Sequence, residues 1–196
     1  MILSDIEIRE LAVSKKMIEP YIDGSVRQVG ENKIISRGES SYGYDISISD
    51  EVGSCMVFRQ SDEWVDPKNF DAEKHLVEPE RVSFPDGSTA VIIPPNTTLL
   101  ARSCEYMRMP KDVTGICLGK STYARSGLTV LATPLEAGWE GHITLEIANV
   151  KPSPALVYLN EGFMQVVFLR GNECQTTYSD RSGKYQGQTG LTLPKV

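Results

Sequence analysis

Apolar and polar residues alternate along much of this chain with the two-residue period of half-buried β-strands. Tyr44-Asp-Ile-Ser-Ile-Ser49 alternates, and Thr89-Ala-Val-Ile-Ile93 does so ahead of Pro94-Pro95. Further strands are expected at Thr98–Ala101, Gly115–Leu118, Thr129–Ala132, His142–Val150, Ala155–Tyr158 and Gln165–Leu169. Turn residues bound most of them: Asp86-Gly87, Pro94-Pro95-Asn96, Lys151-Pro152-Ser153-Pro154 and Asn160-Glu161-Gly162. The helical period appears only near the start. Ser4 and Glu7 fit a capping box, Ile8, Leu11 and Ala12 share one face, and the helix should end before Pro20. A second short helix is expected over Ser121–Arg125, ended by Gly127. Residues 59–82 are polar and acidic and read as an excursion from the core. Many short strands at this spacing predict a mainly β protein, a sandwich, jelly roll or barrel.

Composition narrows the picture. The 196 residues suit one domain spanning 1–196, long enough to bury a core without staples. A net charge of −6 argues against a general nucleic-acid binder, which shows a basic surface. It leaves room for a nucleotide, whose phosphates need only a few donors and a metal counter-ion. Cys55, Cys104, Cys117 and Cys174 are widely spaced, which suggests neither a disulfide framework nor a zinc site, and they read as small buried hydrophobes. The N-terminus carries acids where a signal peptide carries cations, and no window approaches the ~20 apolar residues of a membrane span. A cytoplasmic protein without a membrane partner is expected.

Three segments carry candidate chemistry. Gly119-Lys-Ser-Thr-Tyr-Ala-Arg125 shares its GKS with a P-loop, but the glycine that motif needs falls on Thr114, and Gly127 cuts the helix short. What remains is a glycine turn into a helix start with Lys120, two hydroxyls and Arg125. It reads equally as an anion site and as a capped surface helix. Thr133-Pro-Leu-Glu-Ala-Gly-Trp-Glu-Gly-His-Ile-Thr-Leu-Glu146 reads as a turn and a strand, with Thr144 and Glu146 on one face and Leu145 on the other. With Leu145 facing the core, Glu146 faces a cleft or water. Tyr178-Ser-Asp-Arg-Ser-Gly-Lys-Tyr-Gln-Gly-Gln-Thr-Gly190 is too polar to build a core. It suits a frayed end, or a flap that offers backbone N–H groups and Lys184 to phosphates. Leu191 and Leu193 suggest that it is anchored. His75 and His142 form neither H-x-E nor part of a P-C-x-x-C, the signature of zinc-dependent nucleobase deaminases.

Taken in order, these segments resemble the dCTP deaminase family of the trimeric dUTPase-like superfamily. The resemblance lies in Gly119-Lys-Ser-Thr-Tyr-Ala-Arg-Ser-Gly-Leu128, Trp139-Glu-Gly, Thr144-Leu-Glu146, Gly183-Lys-Tyr-Gln-Gly-Gln188 and Leu193-Pro-Lys. Ser40-Ser-Tyr-Gly-Tyr-Asp45 and Val91-Ile-Ile-Pro-Pro-Asn96 extend it toward the N-terminus. It implies a distorted jelly-roll or β-barrel and a homotrimer with active sites between subunits. The activity it implies is hydrolysis of dCTP to dUTP and ammonia without zinc, feeding dUMP and thymidylate synthesis. Glu146 would be the proton shuttle, with Ser121 and Arg125 holding the attacking water. The implied substrate-binding set is Lys120, Ser121, Thr122, Tyr123, Ala124, Arg125, Glu136, Thr144, Leu145, Glu146, Gln165, Tyr178, Lys184 and Gln188. Mg²⁺ would ride on the triphosphate, residues 178–196 would close over the site, and dTTP would inhibit. Two other readings are a bifunctional enzyme releasing dUMP and pyrophosphate, and a non-catalytic nucleotide-binding trimer. Glu136 stands where superfamily dUTPases carry an aspartate, and Glu146 favours deamination.

Overall fold

The computed structural model describes residues 1–196. Helix α1 spans Asp5–Lys15. The Glu7 carboxylate accepts hydrogen bonds from the Ser4 backbone N–H (3.0 Å) and hydroxyl (3.1 Å), as the capping-box spacing predicts. Its buried face is Ile8, Leu11 and Ala12, and Lys16, left-handed at φ 52°, stops it. The elements that follow are β1 (Ile18–Glu19), β2 (Ser25–Val29), β3 (Asn32–Ser40), β4 (Gly43–Ser47), β5 (Cys55–Phe58), α2 (Ala72–His75), β6 (Leu76–Val77), β7 (Arg81–Ser83), β8 (Thr89–Ile93), β9 (Thr98–Arg108), β10 (Val113–Gly119), α3 (Ser121–Arg125), β11 (Leu128–Val130), β12 (Glu140–Asn149), β13 (Ala155–Tyr158) and β14 (Gly162–Arg170).

The mainly β expectation is met by three open antiparallel sheets. One runs β11-β12-β9-β5-β6, with β1 also on β9; the second runs β10-β14-β4-β3-β2; the third is β13-β8-β7. A contiguous cluster of 31 buried apolar residues draws on all three and on α1 and α3. Strand β4 is buried on both faces, so its alternation does not divide core from solvent. No helix is long and apolar enough to cross a membrane.

Some elements depart from the sequence pattern. The β2–β3 hairpin departs from the expected strands, because its residues are mostly polar and only Gly38 and Glu39 are buried. Residues 59–82 are not wholly an excursion: they contain α2, β6 and the start of β7, and His75 and Leu76 are buried. The reading of all four cysteines as buried hydrophobes needs correction. All are free, but only Cys55 is buried, Cys104 and Cys117 are half-buried and Cys174 is exposed, on the polar segment after β14.

Two strands position the candidate chemistry. Strand β12 lies between β11 and β9, with Glu146 opposite Leu100 and Thr144 opposite Arg102. The register slips between His142 and Thr144, where Ser103 to Glu105 bulge. There the Ser103 hydroxyl accepts from the Ile143 N–H (2.8 Å), keeping the interrupted ladder satisfied. Strand β10 lies at the edge of its sheet and runs straight into α3.

Candidate active site

The outward row of β12 builds the floor of a cavity of about 970 Å³. Leu145 is fully buried in the core, while Thr144 and Glu146 line the cavity, as their alternation predicts. Leu100 continues the floor, and Phe58 and Val65 form an apolar wall. The loop 131–139 supplies Glu136 and Trp139, and the tail supplies Tyr178, Tyr185, Gln188 and Leu193.

The tail is docked rather than frayed. Gln188 forms a parallel bridge with Gly141; its carbonyl accepts from the His142 N–H (2.8 Å), and its amide donates to the His142 carbonyl (3.2 Å). A side chain at Gly141 would meet the Gln188 backbone at 2.9 Å, so that glycine admits the tail. The Trp139 indole donates to the Tyr185 carbonyl (2.8 Å), and the Tyr178 hydroxyl accepts from the Tyr185 N–H (3.0 Å). The Thr144 hydroxyl accepts from the Thr192 N–H (3.2 Å). Lys184 donates to the Lys195 carbonyl (2.6 Å). Glu136 is paired with Arg181 of the tail.

Glu146 has a different environment. Burial raises its carboxyl above the ordinary glutamate range, its own backbone N–H opposes that shift, and no cation of its chain contributes. Cys117 lies within range of it. Burial, with the Glu146 charge adding, pushes that thiol up to about 12, so it is inert at neutral pH.

The remaining expected site residues lie elsewhere. None of Lys120 to Arg125 lines the Glu146 cavity, nor does Gln165. Ser121, Thr122, Ala124 and Arg125 are exposed on α3. Tyr123 is buried, with its ring 4.3 Å from that of Phe163 and its hydroxyl accepting from the Tyr158 N–H (3.0 Å). The Lys120 ammonium meets Asp45 (2.5 Å) and the Ser36 hydroxyl (3.0 Å), and the Gln165 amide donates to Asp45 and to Ser40 (both 3.2 Å). One chain therefore brings together Glu136, Thr144, Glu146, Tyr178 and Gln188, and holds the α3 group apart. Sequence reasoning missed Asp45, Arg181, Phe58 and Val65. Asp45 carried a signal, an acid between Tyr44 and Ile46 on an apolar strand; the others carried none.

A family model described as dCTP deaminase-like matches residues 2–171. The chain belongs to the dCTP deaminase-like family. Curated relatives agree over their full length. The dCTP deaminase of Thioalkalivibrio sulfidiphilus is 52% identical and that of Nitrosococcus oceani 53% identical, each over 197 residues covering 100% of this chain and 99% of the relative. A crystal structure of 2'-deoxycytidine 5'-triphosphate deaminase from Agrobacterium tumefaciens shares the fold, with a TM-score of 0.53 at 17% identity. That match covers 87% of this chain and 48% of the Agrobacterium one, so this chain spans about half its length. Tyr178, Lys184 and Gln188 lie beyond the segment matched by the dCTP deaminase-like model but within the span shared with the full-length relatives.

Proposed function

We propose that this protein hydrolyses dCTP to dUTP and ammonia, as a homotrimer in which α3 of one subunit completes the Glu146 cavity of the next. The observation that carries the reading is Glu146 itself. It is a carboxyl raised by burial, on a strand that lines a nucleotide-sized cavity, with no cation of its own chain beside it. The exposed Ser121 and Arg125 supply what that cavity lacks.

The chemistry follows from the placement. Water held by Ser121 and Arg125 gives a proton to the Glu146 carboxylate and adds to C4 of the cytosine. Glu146 passes that proton to N3, which removes the ring's aromatic resistance. A second transfer through Glu146, from the new hydroxyl to the amine, breaks C4–N4 and leaves C4=O and ammonia. A carboxyl raised toward neutrality suits both transfers. The backbone of Thr144, Leu145 and Glu146 reads the pyrimidine edge. Glu136, Tyr178 and Gln188 hold sugar and phosphates from the cavity side, with Lys184 of the tail beside them, and Ser121 to Arg125 form the other side. The substrate is the Mg²⁺ complex of the triphosphate, whose oxygens hold the ion. The reading places the enzyme in the cytoplasm and makes dTTP, which carries the same sugar and triphosphate, an inhibitor.

Incubation with dCTP should release dUTP and ammonia in equal amounts. Dominant dUMP and pyrophosphate would identify the bifunctional enzyme instead. Glu146→Gln should lower kcat by roughly 10³-fold while nucleotide binding persists. Near-normal turnover by that variant removes Glu146 from the mechanism.

A further inference from the structure

We propose that Asp45 is a positioning residue, and that its ion pair with Lys120 fixes the start of α3 so that Ser121 and Arg125 face the neighbouring subunit's cavity. The inference rests on the reading above and deepens it, by assigning Lys120 and Gln165 to the protein's own frame rather than to the phosphates.

The geometry is closed on itself. Lys120 is the residue on which α3 begins, and its backbone N–H also donates to the Phe163 carbonyl (3.3 Å). Its side chain reaches across β14 to β4 and meets Asp45 there at 2.5 Å. Side-chain exposure is 12% for Lys120 and 6% for Asp45, so neither charge has bulk water as a substitute partner. One Asp45 oxygen accepts from Lys120 and the Ser36 hydroxyl, and the other accepts from the Gln165 amide. Gln165 is held in turn by Ser40. The network joins β3, β4 and β14 to the residue that caps the start of α3. A helix of five residues cannot hold its own direction and takes it from what its ends are tied to. Removing one partner of such a pair strands a buried charge, whereas removing both does not.

That asymmetry gives the test. Asp45→Asn, Lys120→Met and the double variant are compared with wild type for kcat/KM on dCTP, thermal midpoint, and hydrogen exchange of the Ala124, Ser126 and Gly127 amides that close α3. Each single variant should lower kcat/KM by roughly 10- to 100-fold through misplacement of Ser121 and Arg125. Each should also speed exchange at those three amides. The double variant should recover most of both losses. If Lys120→Met is impaired while Asp45→Asn matches wild type, Lys120 serves the phosphates directly and the proposal is overturned. A double variant no better than Lys120→Met has the same meaning. Should wild type itself fail to turn over dCTP, the functional reading falls, while the exchange rates still decide whether the pair holds α3.

Discussion

Glu146 and Glu105 are both carboxyls raised by burial, yet they do different things because they point to opposite faces of one sheet. Glu146 faces the cavity, where a proton can be exchanged with a ligand. Glu105 on β9 faces inward at 1% exposure, and accepts hydrogen bonds from the Ser47 N–H (3.0 Å) and hydroxyl (2.7 Å), tying β9 to β4. Burial pushes it up to about 7, against those Ser47 hydrogen bonds. The folded state therefore holds a proton at Glu105 that the unfolded chain, with an ordinary value of 4.5, releases earlier. The contribution to stability is fully present below pH 4.5 and is lost as pH rises through about 7, up to roughly 3 kcal/mol. Glu105→Gln keeps the neutral form at every pH: its amide oxygen accepts from the Ser47 N–H, and its amide donates to the hydroxyl. Chemical denaturation between pH 5 and 8 should show the variant losing less stability than wild type as pH rises. Parallel curves for the two proteins would mean that Glu105 does not titrate in this window.

At the scale of elements, local chemistry was legible and distant partnership was not. The capping box of α1, the bounds of β8, β13 and α3, and the inward Leu145 beside an outward Glu146 could each be read within a few residues. Strand β9 runs well past the expected Thr98–Ala101 because its inward row continues through Ser103 and Glu105, polar residues that hide the two-residue period. The β2–β3 hairpin has hardly any buried row to be read. In the site, the Thr144–Glu146 alternation was enough to place the acid. The Asp45–Lys120 pair spans 75 residues, and no spacing rule reaches that far. Close backbone approach is equally invisible in sequence. Gly162 opens β14 where a Cβ would lie 1.9 Å from the Ser36 carbonyl oxygen, with only backbone there to give way. Gly162→Ala should therefore destabilise the protein by about 1–3 kcal/mol or more, read as a lower urea midpoint. An unchanged midpoint would show that β3 and β14 separate without cost.

At the scale of the whole molecule, the separation of the two residue groups is itself informative. The cavity group and the α3 group lie on different parts of one chain, and the strand leading into α3 exposes Ile116 and Leu118, at 37% and 49%. Leu131, at 58%, is exposed where the chain leaves β11 for the cavity loop. Apolar side chains at both places suit burial against another copy, and a cyclic arrangement then gives every cavity one α3 from a neighbour. This predicts complementation between inactive variants. Glu146→Gln subunits keep Ser121 and Arg125, whereas Arg125→Ala subunits keep Glu146. Each homo-oligomer should be nearly inactive on dCTP. When equal amounts are unfolded together and refolded, about a quarter of the sites should combine an intact Glu146 with an intact Arg125, and activity should return to about that fraction of wild type. Mixing the folded proteins without exchange of subunits should restore nothing, which excludes carry-over of active enzyme. If the refolded mixture is as inactive as its components, both groups act within one chain, and α3 must reach its own cavity by a rearrangement of the loop between β11 and β12.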